Sequence, residues 1–315
     1  MSGRTALVTG GAGFIGSHIC DALLERGFHV SVIDNLSTGK RENLPPDVTF
    51  HELDIRDEAV REVFAAETPE YLFHLAAQMD VRKSVAEPAY DADVNIGGTI
   101  NLLEAGRASG LRKTVYASTG GAVYGEPKQL PANESTPVEP LCPYGISKHT
   151  VEHYLELYRK LYGMAYTVLR FPNVYGPRQD PHGEAGVVAI FSLQMLQGEQ
   201  ARIFGDGSKT RDYTYVGDIV DANMLAMDKA DGEILALGRG IEVSDQEIFD
   251  GVREAIGSDM EPEYADERLG EVQHIVLDAA RARQVLGWQP TVDLRDGLRR
   301  CATFYRRLLA GEVVR

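Results

Sequence analysis

Residues 5–18 read TALVTGGAGFIGSH. An apolar run ends at Thr9. Gly10, Gly13 and Gly16 follow as G-x-x-G-x-x-G, and an amphipathic stretch runs from Ile15 to Arg26. The glycines have separate steric reasons. Gly10 permits a tight turn, Gly13 lets the backbone approach a diphosphate, and Gly16 lets the helix lie close to the strand before it. The positive end of that helix then faces the anion. A glycine triplet alone is weak evidence; a strand before it and a helix after it supply the context.

The next strand-like run, Val30–Asp34, closes on a carboxylate. At that place Asp34 accepts hydrogen bonds from an adenosine ribose and repels a 2′-phosphate, which favours NAD over NADP. A simple turn cap is the plainer reading of Asp34, but it leaves the glycine spacing unexplained. Asp54, with Ile55 beside it in HELDIRD, ends the following run and is a second candidate, on the adenine side.

Further apolar runs at Thr49–Asp54, Tyr71–Ala77, Lys113–Ser118 and Tyr166–Phe171 are nearly continuous, as in strands covered on both faces. Helical patterns at Glu58–Ala66, Val85–Ser109 and Pro143–Tyr162 separate them. This alternation predicts an α/β protein, a Rossmann-type doubly wound parallel sheet with right-handed crossovers. After Phe171 the texture changes. FPNVYGPRQDPHGEAG is too rich in Gly, Pro and Asp for a regular element. A β-hairpin is expected at about 201–216, then helices near 217–229 and 244–256. The expected division is a NAD-binding domain of 1–171 plus about 217–237, and a smaller mixed α/β substrate lobe of about 172–216 and 238–315.

The 315 residues are 43% hydrophobic and 25% charged, enough for a substantial core without staples. Net charge is −15, from 32 basic and 47 acidic residues, which disfavours nucleic acid and anionic membranes as partners. Cys20, Cys142 and Cys301 lie far apart with no C-x-x-C, so a disulfide framework or cysteine zinc site is not expected and a reducing cytoplasm fits. MSGRTALVTGG carries no signal-peptide pattern, and no apolar run is long enough to span a bilayer.

CPYGISKHT at 142–150 sets Tyr144 and Lys148 four residues apart behind Pro143. Proline suits a first helical turn, and i,i+4 residues share a face. An ammonium beside a phenol lowers its pKa from about 10. Tyr144 then becomes a candidate proton acceptor at a substrate hydroxyl while hydride leaves the same carbon. A second Y-x-x-x-K, Tyr124 to Lys128, contains Gly125 and Pro127 and is not expected to be helical.

GGAGFIGSH at 10–18, DNLSTG at 34–39, HLAAQ at 74–78, AVYGE at 122–126, PYGISK at 143–148, LRFPNVYGPRQDP at 169–181 and GDGSKTRDYTYVGD at 205–218 together carry a resemblance that runs almost end to end. The chain resembles the extended short-chain dehydrogenase/reductases, and within them the UDP-glucose 4-epimerases. The resemblance implies an NAD cofactor, a UDP-sugar substrate, and Tyr144 as acid/base at the C4 hydroxyl with Lys148 tuning it and holding the nicotinamide ribose. It implies a transient 4-keto sugar that turns over before hydride returns. It places Phe14, Ile15, Asn35, Ser37, Thr38, Gly39, Leu75, Ala76, Ala77, Gln78, Asn95, Ser118, Tyr144 and Pro172 around the cofactor. Asn173, Val188, Arg211, Arg268 and Glu271 fall at the nucleotide sugar, the arginines on its phosphates. Ile275 falls where N-acetyl sugars are gated, and it leaves UDP-N-acetylhexosamines and UDP-uronic acids open as substrates. The resemblance also implies a homodimer through a four-helix bundle of the helices at about 85–108 and 143–162. An NAD-binding sensor without turnover remains the reading from another class.

One position departs from the family pattern. The Ser or Thr expected four residues before Tyr124 is Gly120, in ASTGGAVYG. Ser118, Thr119 and a water molecule are the candidate replacements. Gly120 and Gly121 offer no acidic side chain of the kind that related dehydratases and decarboxylases need there. Finally, His149 to His153 spells H-x-x-E-H, a zinc-peptidase pattern. It overlaps the Tyr144 helix and has no evident third ligand, so polar histidines on a helix or dimer surface are expected.

Overall fold

A computed structural model describes residues 4–182, 186–267 and 272–312. Its strands are β1 (Thr5–Thr9), β2 (His29–Asp34), β3 (Thr49–Glu52), β4 (Tyr71–His74), β5 (Lys113–Thr119), β6 (Ala165–Phe171), β7 (Asn173–Tyr175), β8 (Arg202–Phe204), β9 (Thr210–Tyr215), β10 (Glu233–Ala236), β11 (Glu242–Ser244) and β12 (Glu263–Ala265). Its α-helices are α1 (Phe14–Glu25), α2 (Val60–Glu67), α3 (Val81–Ala86), α4 (Pro88–Ala92), α5 (Gly98–Ser109), α6 (Gly120–Val123), α7 (Pro143–Tyr162), α8 (Val187–Gln197), α9 (Val216–Asp228), α10 (Asp245–Ile256), α11 (Ala280–Leu286) and α12 (Leu294–Leu309).

Seven parallel strands form the central sheet in the order β10-β6-β5-β4-β1-β2-β3. Alternate strand residues serve opposite cores. Ala6 and Val8 pack with Ile19 and Leu23 of α1 and Ile219 of α9, whereas Leu7 packs with Phe64 of α2, Leu102 of α5 and Val151 of α7. Each fully buried Val, Leu, Ile or Phe side chain among these contributes about 1.5–3 kcal/mol. The strand order reverses between β1 and β4, and at such a switch point the carboxyl ends of the strands open a crevice for ligands.

The structure corrects several expectations. The 201–216 segment is no hairpin: β8 pairs in parallel with β12, and β9 lies between β7 and β11 in a separate three-stranded sheet. Gly205 and Gly207, both at positive φ, turn the chain from one sheet to the other. The single helix expected over 85–109 is broken. Pro88 starts a new helix, Glu87 leaves helical geometry at φ −131° and ψ 62°, and Asp93–Gly97 is a π-helical turn. The strand expected over 71–77 ends at His74, because the Leu75 and Ala76 amides both turn back to the Thr9 carbonyl. Similarly, β3 stops at Glu52, two residues short of Asp54.

Candidate active site

The glycine loop is shaped as its spacing requires. Gly10 has φ +70°, and a Cβ there would stand 2.8 Å from the Ala76 amide. A Cβ on Gly16 would overlap the Gly10 carbonyl oxygen. Gly13 is the N-cap of α1 and has no side chain to satisfy the first turn, so the amides of Phe14 and Ile15 are left facing outward as anion donors. Asp34 accepts from the Ala12 amide at 3.0 Å and the Leu36 amide at 2.8 Å, and each oxygen keeps a lone pair. Burial raises the Asp34 carboxyl above its ordinary value, against those two hydrogen bonds. The loop of Asn35, Ser37, Thr38 and Gly39 closes over it: a Cβ on Gly39 would come within 2.8 Å of Asp34 Oδ1. This cradle of bare backbone, outward amides and one carboxylate fits an adenosine diphosphate.

Asp54 is held by Arg56 at 2.8 Å and by Asn35 at 2.9 Å, and the Arg56 guanidinium brings its carboxyl down to about 2. Ile55 is buried at 4% exposure, over Gly98, and serves the core.

Pro143 opens α7, and Tyr144 and Lys148 lie one turn apart on it. Lys148 is 3% exposed, with Nζ 4.3 Å from the centre of the Tyr116 ring. Burial pulls its ammonium down to about 7, opposed by Glu152 and Asp91. Tyr144 runs against expectation. Burial drives its phenol well above 10, so the protein's own charges do not lower it.

Asn95, in the π-helical turn, accepts from the Gln78 amide at 2.7 Å and donates to Ser147 Oγ at 3.0 Å; Ser147 in turn donates to the Tyr144 carbonyl. Leu75, Ala76, Ala77 and Gln78 are thereby tied to the turn that carries Tyr144.

Around the reacting side, the structure separates the two candidate hydroxyls. Ser118 is 3% exposed and donates to Glu152 Oε1 at 2.6 Å, so its hydroxyl is committed inside the protein and not offered to a substrate. Thr119 is half-buried. A Cβ on Gly121 would lie 3.8 Å from Thr119 Oγ1 and 3.7 Å from Asn173 Oδ1, so these two polar groups converge beside Gly121. Pro172 links β6 to the strand that begins at Asn173. Arg211, on β9, spends Nη1 on the carbonyls of Thr210 and Gln273. Val188 is buried at 1% in the apolar core around α8, so its side chain is not offered to a ligand. Ile275 is also buried, clustered with Val123, Tyr124 and Leu277. Arg268 and Glu271 lie outside the described residues.

The second Y-x-x-x-K is not helical: Gly125 has φ +60°, and Tyr124 Oη accepts from Arg170 at 2.9 Å. In the H-x-x-E-H stretch, His149 and His153 stack edge to face at 4.7 Å, and Glu152 turns inward to Arg170. Among the described residues, no three His, Cys, Asp or Glu side chains are grouped to hold a metal ion.

Sequence reasoning gave no role to Arg170 and Glu152, which form a buried ion pair at 2.6 Å. The signal was present: an arginine inside an apolar strand, and a glutamate four residues after Lys148, are rarely buried without a partner.

The NAD dependent epimerase/dehydratase family model matches residues 6–238. The UDP-glucose 4-epimerase of Mycolicibacterium smegmatis is 47% identical over 306 residues, which cover 95% of this chain and 98% of that protein. The crystal structure of the Thermotoga maritima UDP-glucose 4-epimerase with UDP-glucose superposes with a TM-score of 0.96 at 49% identity, covering 97% of this chain and all (100%) of that one. The Thermus thermophilus UDP-glucose 4-epimerase complex with NAD gives 0.91 at 45% identity, covering 96% of this chain and 99% of that one. The chain belongs to the NAD dependent epimerase/dehydratase family.

Proposed function

We propose that this protein is an NAD-dependent UDP-sugar 4-epimerase that interconverts UDP-glucose and UDP-galactose. The observation that carries the reading is the placement of Tyr144 and Lys148, one turn apart on α7, against the Tyr116 ring of β5, in the same parallel sheet whose β1 leads into the glycine cradle. The names of its relatives, one solved with UDP-glucose and one with NAD, support it.

When bound, NAD supplies the hydride acceptor and a positive charge. The protein's residues do the rest. Tyr144 takes the proton of the sugar C4 hydroxyl and later returns one. Burial alone keeps this phenol protonated. The Lys148 ammonium, together with the positive charge of bound NAD, favours the phenolate, and Lys148 also holds the nicotinamide ribose. Thr119 takes the place left by Gly120 and donates to the reacting oxygen, with Asn173 beside it. Arg211, with Arg268, holds the diphosphate, and Glu271 holds the uridine ribose. The amides of Phe14 and Ile15 and the Asp34 carboxylate hold the two ends of the adenosine diphosphate. Residues 172–216 and 238–315 make up the nucleotide-sugar lobe, and 1–171 with 217–237 the NAD domain.

The active form is a homodimer. Ile146, Leu157, Leu161 and Tyr162 on α7, and Val85 on α3, are exposed apolar side chains that a helical bundle would cover. Three buried, unpaired cysteines, Cys20, Cys142 and Cys301, fit a cytoplasmic setting, and no helix among the described residues is long and apolar enough to cross a membrane.

The test is to incubate the purified protein with UDP-glucose and no added NAD, and to separate the products by ion-pair chromatography. UDP-galactose forms, and Tyr144→Phe abolishes it. Absence of product, with and without added NAD, would overturn the assignment.

A further inference from the structure

We infer that Glu152 is a positioning residue for the proton transfer: its carboxylate binds the ends of β5 and β6 to α7 and so holds Lys148 and Thr119 in register with Tyr144. This rests on the epimerase reading above.

Ser118 and Arg170 face each other across the parallel β5–β6 pairing. Both point at one carboxylate on the helix above. Glu152 Oε1 accepts from Ser118 Oγ at 2.6 Å and Arg170 Nε at 3.0 Å, and Oε2 accepts from Arg170 Nη2 at 2.6 Å. His149 Nδ1 lies 3.0 Å from Oε2. Arg170 Nη1 continues to Tyr124 Oη, at 2.9 Å. Glu152 is 2% exposed and Arg170 3%. Two of these links lead toward the candidate catalytic residues. Ser118 precedes Thr119, and Glu152 stands one turn beyond Lys148 on the same helix. A buried ion pair is a poor device for stability, since apolar residues of equal volume serve as well. Its geometric demands are strict, and that suits it to setting register.

The pair also sets the charge that Lys148 meets. The groups facing its ammonium are Tyr116 from β5, His74 from β4, Asp91 from α4 and Glu152 from α7, with Tyr144 one turn before Lys148 on α7. His74 is buried and pushed down to about 3, so it is neutral. Glu152 and Asp91 are the carboxylates that favour the ammonium, and Arg170 offsets part of the former. Removing the Glu152 charge alone leaves Arg170 unopposed and disfavours the ammonium twice over.

The experiment compares pH profiles of kcat/KM in the wild type, Glu152→Gln and Glu152→Gln/Arg170→Gln. In Glu152→Gln the alkaline limb moves about one unit toward lower pH, with KM for UDP-glucose little changed. In the charge-balanced double variant it moves back. An unmoved limb in Glu152→Gln, whatever its kcat, would overturn the inference, because a merely structural role lowers activity without moving it. Should Glu152→Gln fail to fold, Ser118→Ala decides: kcat falls several-fold with KM kept while the protein remains folded at the assay temperature, and an unchanged kcat counts against us. If the wild type makes no UDP-galactose, the epimerase reading fails by itself. The pH at which bound NAD is released, followed by absorbance after gel filtration, then decides between the same variants: a lower release pH in Glu152→Gln supports the inference and an equal one rejects it.

Discussion

A Cβ on Gly120 would overlap Cδ1 of Leu277 and lie 3.1 Å from its Cδ2. Leu277 is 1% exposed, and its amide is held by Asp212 at 3.3 Å, so it has little room to withdraw. A serine at this position, which the resemblance leads one to expect, would collide with Leu277. Gly120→Ser is expected to destabilise the fold by about 1–3 kcal/mol through overpacking. Leu277→Ala alone costs about 2–5 kcal/mol. The double variant is expected to recover about 0.5–3 kcal/mol relative to their sum. Urea denaturation of the four proteins measures the coupling, and strict additivity would rule out the contact.

Tyr144→Phe removes only the phenolic oxygen from a helix that is otherwise unchanged. Turnover should fall by about 10²–10⁴-fold, while NAD content after purification stays the same. A parallel loss of NAD would show that the hydroxyl also binds the cofactor, and activity restored by added NAD would rule out the proton-transfer role.

Asp34→Ala leaves the buried Ala12 amide without its acceptor and removes the ribose partner. Leaving such a group unpaired costs about 1–3 kcal/mol. NAD retention should weaken at least tenfold by equilibrium dialysis, without gain for NADP.

Acid should test the buried ion pair. Hydrogen bonds from His149 and Arg170 overcome burial and bring the Glu152 carboxyl down to about 2. An unfolded glutamate titrates at about 4.3. Because the folded value is the lower one, the stabilisation is fully present above the unfolded value and is lost as pH falls through the folded one. Glu156 is depressed similarly by Arg159, but that pair is solvent-exposed. Urea midpoints between pH 7 and 2 should therefore change slope in Glu152→Gln and hardly at all in Glu156→Gln. At neutral pH, Arg170→Met should cost about 3–5 kcal/mol, the penalty of a stranded buried charge.

The dimer proposal is checked on the exposed face of α7. Leu157→Glu with Leu161→Glu should convert the protein to a monomer by light scattering, with the far-ultraviolet circular dichroism retained. A wild type that is already monomeric would reject it.

Local chemistry alone made much of this protein legible. The glycine spacing, the carboxylate ending the second strand, and the proline-led helix with a tyrosine and lysine one turn apart are short-range patterns, set by backbone sterics and helical periodicity. They were enough for the parallel sheet, the shape of the glycine turn and the helix that carries Tyr144. Pairings between distant segments left no such mark. β8 found β12 some sixty residues on instead of its neighbour β9, since strand partners are chosen by sheet packing and not by proximity in the chain. The same holds within the site. Ser118 and Thr119 are adjacent and chemically alike, and only the tertiary structure distinguishes them, by setting Glu152 against one. Burial likewise reversed the expected shift of Tyr144, because desolvation depends on what surrounds the phenol in three dimensions, which the spacing to Lys148 does not encode.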